Sequence, residues 1–512
     1  MQEIKLNKLN PHFSLEDFKN FAENQSLITN YCELYADLDT PVSIYAKLKE
    51  KSEHAFLFES VIAGERIGRY SIIGFRPLEI IDGNLMDTNN CFKLLEDKIS
   101  QYQPKTNTDE VLPFFHKGFV GFFPFESSSH IEPVLILKSS AYPSIYMLLV
   151  GSLVVFDHVK QKLFLISNSL AGSKPTVDEL YEASISQLQE LKSIISSSSQ
   201  LERLDLDLCL KTVDNLDQSI FYSNTGKDEF INQVNQAKNH IKEGDIFQVV
   251  LSHKMSADIS IDSLVAYRML RSINPSPYLF IFNVKSSIEA VLVGSSPEML
   301  VKTDLKTDSD SNRYLVAENR PIAGTYKRGA NPADDEVLVN KLLNDQKEIA
   351  EHVMLIDLAR NDLGRVCQKG SVTVPQKMII EKYSHVLHIV SSVVGKIKTD
   401  FGVSSGVKLI NACFPAGTLS GAPKIEAIKI ISKLEKEARG PYGGAIGYFA
   451  LDGSMDSAIL IRTLVIEKNK VSIQAGAGVV ADSDPEKEWQ ETLNKARALI
   501  SVVEAINLGY TA

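Results

Sequence analysis

The first third of the chain alternates short apolar runs with polar turns, a pattern typical of β-strands. The runs are rich in Phe, Tyr, Val and Ile, which favour extended backbone. The pattern predicts strands at 55–58, 68–74, 147–150, 153–156 and 162–166, with the last strand pairing back across a turn at 157–161. We therefore expect this region to be mainly antiparallel sheet.

Further along the chain, helices appear between the strands. Phe230, Val234 and Ala237 recur at helical spacing, and Gly244 is placed to end that helix. The same reasoning predicts helices at 177–195, 336–358, 421–436 and 485–505, and strands at 246–251, 290–294, 443–451, 457–467 and 471–479. Antiparallel runs with interspersed helices predict an α+β fold. The serine run at 196–199 is the best linker candidate.

Composition narrows the class of protein. The 512 residues are 44% apolar and 23% charged, which is ordinary for a globular chain with a large core. A net charge of -10 argues against nucleic acid or an anionic membrane surface as partner. No apolar run reaches the roughly 18 residues that span a bilayer, and the first residues lack the apolar segment of a signal peptide. The five cysteines show no metal-ligand spacing, so we expect a cytoplasmic protein with reduced thiols.

One charge stands out against the predicted core. Arg462 lies inside the apolar run 458–466, which predicts a buried strand. Because arginine cannot shed its proton, a buried guanidinium needs an anion beside it. A structural ion pair would satisfy it, and so would a bound anionic ligand. Gly476 and Gly478, one strand later, allow a ligand to approach the backbone closely, although a β-bulge would also explain them.

Two predicted helices each carry a pair of glutamates three residues apart. Glu348 and Glu351 share one helical face, and Glu488 and Glu491 share another. Facing each other, the pairs would form an oxygen site suited to Mg²⁺. The spacing is also common on solvated helices, and Glu491 with Lys495 could be an ordinary ion pair one turn apart.

Two further side chains are candidates for proton transfer. His388 lies in an apolar, strand-like segment, where a hydrogen-bonded core histidine is the simpler interpretation. Glu298 follows Gly294-Ser295-Ser296-Pro297 and is either an exposed turn carboxylate or a general acid.

Longer motifs connect these isolated signals. They are FLFES at 56–60, NPSPYLF at 274–280, GSSPEML at 294–300, RPIAGT at 320–325, EHVMLIDLARNDLGRV at 351–366, GTLSGAPK at 417–424, GPYGGAIGY at 440–448, QAGAGVVADSDP at 474–485 and EWQET at 488–492. Together they resemble the chorismate-utilising enzymes, most closely the branch that makes anthranilate. The resemblance implies large, mainly antiparallel sheets packed as a sandwich with helices outside. It also implies a regulatory region at 1–200 and a catalytic region at 201–512.

The resemblance implies a negatively charged substrate, which could pair with the positive charge of Arg462. Chorismate carries two carboxylates, and a guanidinium can bind one of them through charge-assisted hydrogen bonds. By family likeness the substrate-binding residues are Gly324, Thr325, Tyr442, Arg462, Gly476, Ala477, Gly478 and Lys495. The likeness also implies Mg²⁺ held by Glu351 and Glu491, with Glu348 and Glu488 behind these ligands.

Two positions imply which nucleophile attacks the ring. Relatives that add water carry a lysine where this chain has Gln248, and relatives that make aminodeoxychorismate carry a lysine where it has Ala323. Direct addition of ammonia at ring carbon 2 is therefore the implied route. Glu298 would protonate the departing C4 hydroxyl, and His388 would help to move the ring proton as pyruvate leaves.

The ammonia needs a source. The chain shows no glutaminase cysteine motif, so the resemblance implies a separate glutamine amidotransferase subunit, in a heterotetramer of two large and two small subunits. Two alternatives stay open. One is component I of an aminodeoxychorismate synthase, and the other is a non-catalytic, amino-acid-sensing scaffold for an amidotransferase.

The motifs at 57–60 and 275–279 resemble the family's tryptophan-binding elements. Glu59 could pair with the ammonium group of an amino acid, and Ser60 could donate a hydrogen bond to it. Pro277, Tyr278 and Leu279 would line a slot for the indole. The resemblance therefore implies feedback inhibition by tryptophan, acting between two coupled sites.

Overall fold

The computed structural model describes residues 11–60, 68–84, 90–102, 112–198, 201–204, 220–309, 312–329, 331–382 and 386–509. In these ranges the α-helices are α1 (Leu15–Asn24), α2 (Pro41–Lys49), α3 (Cys91–Gln101), α4 (Val177–Ser196), α5 (Lys227–Glu243), α6 (Ser263–Ile273), α7 (Pro332–Leu343), α8 (Gln346–Val366), α9 (Ser405–Cys413), α10 (Lys424–Leu434) and α11 (Pro485–Asn507). Short 3₁₀ turns lie at Phe125–His130, Thr399–Ser404 and Gly417–Leu419.

The strands form two large sheets. They are β1 (Leu27–Tyr35), β2 (Phe56–Glu59), β3 (Tyr70–Phe75), β4 (Glu79–Asp82), β5 (Gly118–Phe123), β6 (Tyr146–Leu149), β7 (Ser152–Asp157), β8 (Lys162–Leu170), β9 (Tyr222–Ser223), β10 (Gln248–Ala257), β11 (Tyr278–Lys285), β12 (Glu289–Ser296), β13 (Met299–Thr307), β14 (Arg313–Asn319), β15 (Ile322–Lys327), β16 (Thr373–Lys382), β17 (Val386–Lys396), β18 (Gly421–Ala422), β19 (Ala445–Ala450), β20 (Met455–Ile459), β21 (Thr463–Glu467) and β22 (Lys470–Val479).

The first sheet has the order β1-β8-β7-β3-β2-β11-β12-β21-β22-β10-β18, with β9 also paired to β10. The second has the order β15-β17-β14-β13-β20-β19-β5-β6-β4, with β16 also paired to β17. Between neighbouring strands of these orders the described pairings are antiparallel.

The two sheets pack face to face, and helices cover their outer faces. The layer between the sheets contains large buried side chains from both, namely Phe56, Phe280 and Phe282 from the first and Phe122, Tyr146 and Ile446 from the second. Helices α2, α4, α6 and α11 pack on the outside of the first sheet, and α3, α8 and α9 on the outside of the second. This confirms the predicted α+β sandwich. None of the helices in the described ranges combines the length and apolar character needed to cross a membrane.

The predicted helix at 336–358 is wrong, because the chain forms two helices there. Asp345 stands between α7 and α8, and its side chain accepts hydrogen bonds from the backbone N–H groups of Lys347 and Glu348. An aspartate in this position satisfies the exposed donors of a helix start, so it begins a new helix. By contrast, α5 ends as predicted, with Gly244 in the left-handed region at φ 87°.

The predicted strand at 457–467 is also wrong. The chain leaves the second sheet at the end of β20 and enters the first sheet at the start of β21, so the apolar run is a crossover between sheets. The run stays apolar because both of its ends are buried, and hydrophobic periodicity cannot show that they belong to different sheets.

Both sheets contain strands from either side of residue 200. Strand β2 pairs with β11 in the first sheet, and β5 pairs with β19 in the second. Helix α4 ends at Ser196, within the predicted linker, and residues 199–200 lie outside the described part. The division into regulatory and catalytic regions stays a prediction about function, because the two regions share one sandwich.

Candidate active site

Arg462 lies in the bend by which the chain crosses between the sheets. Its backbone is left-handed, with φ 51°, which is uncommon for a residue with a side chain and must be held by its surroundings. Its carbonyl accepts a hydrogen bond from the N–H of Ser295 at 3.0 Å, and its guanidinium donates to the carbonyl of Lys495 on α11. Burial lowers the pKa of Arg462, while Tyr442 and Glu491 nearby oppose that shift. The guanidinium is therefore partly enclosed.

The Tyr442 side chain lies very close to the backbone of Gly476, which Lys495 connects to Arg462. A methyl group at residue 476 would lie 2.7 Å from the hydroxyl oxygen of Tyr442, so only glycine lets the tyrosine hydroxyl approach the backbone this closely. Lys495 donates from Nζ to the carbonyl of Gly476 at 3.1 Å and lies 2.6 Å from a carboxylate oxygen of Glu491. The neighbouring Ala477 is fully buried. The structure thus brings together five of the predicted substrate-binding residues.

Glu298 is a carboxyl group that feels the charge of Lys495. It follows β12, and its Oε1 accepts a hydrogen bond from the hydroxyl of Thr418 at 2.8 Å. Burial raises the pKa of Glu298 to about 7, although the Thr418 hydrogen bond and the charge of Lys495 both lower it. A carboxyl group with this pKa is partly protonated near neutral pH, as a general acid requires. Thr418 lies in the motif at 417–424, but the sequence did not indicate its role.

The two predicted glutamate pairs lie on α8 and α11. Burial raises the pKa of Glu348, and the negative charges of Glu351 and Glu491 add to this shift. Burial also raises the pKa of Glu488, with Glu491 acting in the same direction. The charge of Glu491 therefore acts on a glutamate of each helix, Glu348 of α8 and Glu488 of α11, although the two helices are far apart in sequence.

The donor set of these glutamates fits a divalent cation. Their oxygens are the ligands that Mg²⁺ prefers, and a cation would relieve the repulsion that raises two of their pKa values. Within the described residues, however, these glutamates do not bring three ligand atoms within 4.8 Å of one another. In the described ranges, the group of three such ligand atoms within 4.8 Å of one another is His240, Glu243 and Asp245, at the end of α5. The assignment of Glu351 and Glu491 as ligands stays a prediction.

His388 lies on β17, opposite the bulged strand β15. The register of β15 shifts at Gly324, which has φ 66°, and the Gly324 carbonyl is 3.0 Å from Nδ1 of His388. Burial lowers the pKa of His388, and the charge of Arg462 does so too. A neutral ring that donates from Nδ1 to this carbonyl keeps Nε2 as its acceptor. Thr325 contributes backbone to β15, and its side chain lies outside the described part of the structure.

The two predicted specificity positions carry neither a base nor an amine. Gln248 begins β10, and its Nε2 donates to Glu351 at 3.4 Å and would lie 2.9 Å from a methyl group at residue 478. Ala323 lies on β15, 8% exposed, opposite Ile389. Gln248 is thus beside both a predicted metal ligand and Gly478.

Two buried histidines that the sequence did not indicate hold the glutamate-bearing helices in place. His352 of α8 lies 2.7 Å from the hydroxyl of Ser391 on β17. His253 of β10 lies 2.8 Å from the hydroxyl of Thr492 on α11. Burial lowers the pKa of each imidazole to about 4, so both rings are neutral at pH 7. In the sequence, His253 is a polar residue in an apolar strand and His352 a polar residue on the apolar face of a helix, and these positions were the only signal.

The predicted tryptophan-binding residues lie where β2 pairs with β11. Glu59 is 5% exposed, accepts a hydrogen bond from the Tyr267 hydroxyl and lies 3.2 Å from Nε of Arg271. Its partner across the strands is Leu279. The Ser60 hydroxyl is buried, and within the described residues it has no hydrogen-bond partner. A buried hydroxyl without a partner is rare and suits a ligand contact.

Tyr278 connects this position to the second sheet. Its hydroxyl donates to Asp456 of β20 at 2.9 Å, and the adjacent Pro277 is half-buried. Burial raises the pKa of Asp456 to about 6, although the charge of Lys302 and the Tyr278 hydrogen bond lower it. Tyr278 therefore spans the space between the sheets.

Comparison with known proteins gives one family. A family described as chorismate binding enzyme matches residues 49–501. Anthranilate synthase component 1 of Synechocystis sp. is 40% identical over 98% of this chain and 100% of its own length. The same protein of Acinetobacter calcoaceticus is 41% identical over 97% of this chain and 99% of its own length. The crystal structure of anthranilate synthase component I from Streptococcus pneumoniae superposes with a TM-score of 0.71 at 32% identity, covering 91% of this chain and 99% of the other. The chain is thus an enzyme of the chorismate-binding family, and within that family it belongs to the anthranilate synthase component 1 group.

Proposed function

We propose that this chain is the large subunit of an anthranilate synthase, which converts chorismate and ammonia into anthranilate, pyruvate and water in the first step of tryptophan biosynthesis. One observation carries the proposal. Glu298, a carboxyl group with a pKa of about 7, feels the charge of Lys495, and the backbone carbonyl of Lys495 accepts a hydrogen bond from the half-buried guanidinium of Arg462. An acid beside an anion-binding group suits the removal of a hydroxyl from a carboxylate substrate.

Binding would use the charges around Gly476. Arg462, Lys495 and the Tyr442 hydroxyl would hold carboxylate oxygens of chorismate, and the backbone at residues 476–478, which Tyr442 and Lys495 approach at Gly476, would lie beside them. Gly324 and Thr325 would border the ring from β15. Arginine and lysine form shorter and stronger hydrogen bonds to carboxylates than neutral donors do.

The first chemical step would form a bond from ammonia to ring carbon 2. As the ring double bonds shift, the C4–O bond breaks, and Glu298 gives its proton to the leaving hydroxyl, which departs as water. The pKa of Glu298 supports this role, because near neutral pH the carboxyl group is partly protonated and acidic enough to give up its proton.

The second step would remove the C2 hydrogen as a proton and break the C3–O bond, so that the ring becomes aromatic and enolpyruvate leaves. Enolpyruvate then takes up a proton on its methylene carbon to give pyruvate. His388 is the proposed base, because burial lowers its pKa and leaves the imidazole neutral. The Gly324 carbonyl, 3.0 Å from Nδ1, would orient the ring.

Glu351 and Glu491 would hold Mg²⁺, with Glu348 and Glu488 beside them. When bound there, the ion would neutralise the ring carboxylate of the substrate. The mutual repulsion of the glutamates supports this site, because burial and like charge together raise the pKa of Glu348.

Two positions support ammonia as the nucleophile. Ala323 offers no amine that could attack the ring first, which speaks against aminodeoxychorismate synthase, and Gln248 cannot act as a base toward water. A non-catalytic scaffold is not supported, since relatives along nearly the whole length are named as synthases.

The name component 1 in the relatives implies a second component. We propose a glutamine amidotransferase that delivers ammonia, in a heterotetramer of two large and two small subunits in the cytoplasm. We also propose that tryptophan inhibits the enzyme at Glu59, Ser60, Pro277, Tyr278 and Leu279. The buried hydroxyl of Ser60 supports this site, because a bound amino acid would supply its hydrogen-bond partner.

A single assay tests the reaction. Purified protein is mixed with chorismate, Mg²⁺ and ammonium, and products are identified by mass and by the fluorescence of anthranilate. Anthranilate and pyruvate in equal amounts are expected. Accumulation of aminodeoxychorismate or isochorismate, or no use of chorismate, would contradict the proposal.

A further inference from the structure

A buried ion pair lies next to the candidate active site. Arg439 and Glu435 have side chains 1% and 6% exposed, and the guanidinium donates to both carboxylate oxygens, at 2.6 and 2.9 Å. Its other donors reach the carbonyls of Leu419 at 2.6 Å and Val250 at 2.7 Å. Buried pairs of this kind add little net stability, because desolvation offsets the attraction. The contacts of the pair therefore need another explanation.

The contact with Leu419 connects Arg439 to the acid. Leu419 ends the short turn that contains Thr418, and Thr418 donates its hydroxyl to Glu298 at 2.8 Å. Holding the carbonyl of Leu419 fixes this turn, and with it the direction in which the Thr418 hydroxyl points.

The face of the guanidinium supports Tyr442. The carbon of the guanidinium lies 4.5 Å from the centre of the Phe125 ring and 5.6 Å from the centre of the Tyr442 ring. A cation over aromatic rings is attracted to their faces. Because the Tyr442 hydroxyl lies beside Gly476, the position of its ring decides how much space remains there.

Glu435 extends the same network into the first sheet. Its Oε1 accepts hydrogen bonds from the backbone N–H and from the hydroxyl of Ser252, both at 2.8 Å. The Ser252 hydroxyl in turn accepts a hydrogen bond from Gln474 at 2.9 Å, two residues before Gly476 on β22.

We infer that Arg439 is a positioning residue of the active site, which sets the orientation of Thr418 beside the acid and of Tyr442 beside Gly476. The inference rests on the proposed function, because it assigns Arg439 a part in that reaction. Lysine cannot replace it, since a single ammonium cannot contact both carboxylate oxygens and two carbonyls at once.

The test compares the wild type with the double variant Arg439→Met/Glu435→Gln. Removing both charges avoids an unpaired Glu435, and without Arg439 the pKa of the buried Glu126 rises, so that this carboxyl is protonated and neutral. The variant is therefore expected to fold, with a Tm lowered by the loss of the donors to Leu419 and Val250. With chorismate, Mg²⁺ and ammonium, we expect kcat to fall roughly tenfold or more and KM for chorismate to rise severalfold, because reacting groups are misplaced. A smaller folded fraction alone would lower kcat and leave KM unchanged.

Two further variants keep the test decisive. Arg439→Lys retains the charge opposite Glu435 and is expected to fold, with kcat and KM changed in the same directions. Arg69→Met breaks another arginine pair, with Asp157 at 2.9 Å, and should leave kcat and KM as in the wild type. Wild-type kcat and KM in both Arg439 variants would overturn the inference alone. Absence of anthranilate from the wild type would overturn the proposed function and the inference with it.

Discussion

The hydroxyl of Thr418 donates a hydrogen bond of 2.8 Å to the carboxyl group of Glu298, across a sequence separation of 120 residues. A hydrogen bond to the charged form of an acid lowers its pKa, so this contact opposes the effect of burial on Glu298. The balance leaves the pKa at about 7, in the range that proton donation to a leaving hydroxyl needs.

Thr418→Val should therefore raise the pKa of Glu298 above about 7. The acid then stays protonated to higher pH, so the basic limb of the kcat–pH profile should move upward by roughly half a unit to one unit. Thr418→Ser keeps the hydroxyl and is the matched control. An unshifted limb in Thr418→Val would show that another group carries the proton.

His253 should make stability depend on pH. The pKa of His253 is about 4 in the folded protein, whereas an unburied histidine has a pKa of 6.5. The unfolded chain therefore binds a proton at this residue more readily than the folded protein does. The stabilisation that the neutral His253 ring provides is fully present above pH 6.5. It is lost as the pH falls toward 4, which lowers the free energy of unfolding by about 3 kcal/mol.

His253→Gln removes that titration. Because Glu126, with a pKa raised to about 7 by burial, changes stability in the opposite direction, the wild type and the variant must be compared at each pH. We expect the difference in unfolding free energy between them to shrink from pH 7 to pH 4.5 in urea titrations. A constant difference would contradict a buried neutral imidazole at this position.

Glu351→Gln should reduce Mg²⁺-dependent turnover by about 100-fold and leave the fold intact. It should also weaken Mg²⁺ binding measured by isothermal titration, a readout that does not depend on turnover. Glu179→Gln is the control, because Glu179 belongs to a glutamate pair of the same spacing on the exposed face of α4. Equal Mg²⁺ affinity in wild type and Glu351→Gln would remove Glu351 from the ligand set.

Ser60→Ala should weaken tryptophan inhibition by about fivefold, because the lost hydrogen bond is worth on the order of 1 kcal/mol. Uninhibited kcat and Tm should stay as in the wild type, since the hydroxyl makes no hydrogen bond within the described residues. Inhibition constants at several chorismate concentrations measure the effect. An unchanged inhibition constant would place the tryptophan site elsewhere.

Sequence patterns predicted the elements well where one rule dominated. The β7–β8 hairpin and the end of α5 at Gly244 follow directly from alternation and from a left-handed glycine. The pattern failed at Asp345, where a local cap competed with helical periodicity, and at Arg462, where a continuous apolar run hid a change of sheet. Such outcomes depend on tertiary context that neighbouring residues do not encode.

The candidate site was predicted through motifs, and its supporting residues were not. Arg462 was singled out by the cost of a buried charge, and Glu298 by its motif. Thr418 and Arg439 gave no such signal, because their importance comes from contacts with residues far away in sequence. In the local sequence, a hydroxyl residue in a turn and an arginine four residues after a glutamate are both common, so neither pattern indicates a functional residue.

The bond between Tyr278 and Asp456 joins one sheet to the other close to the crossover. Asp456 lies on β20, which ends at Ile459, and Arg462 follows three residues later in the bend that crosses between the sheets. Any molecule that widens the gap between the sheets at Tyr278 must therefore stretch this bond or pull β20 along. A displacement of β20 would reach Arg462 through only three residues of backbone, so the bend that holds the guanidinium would feel a ligand at Tyr278 without a relay of side chains.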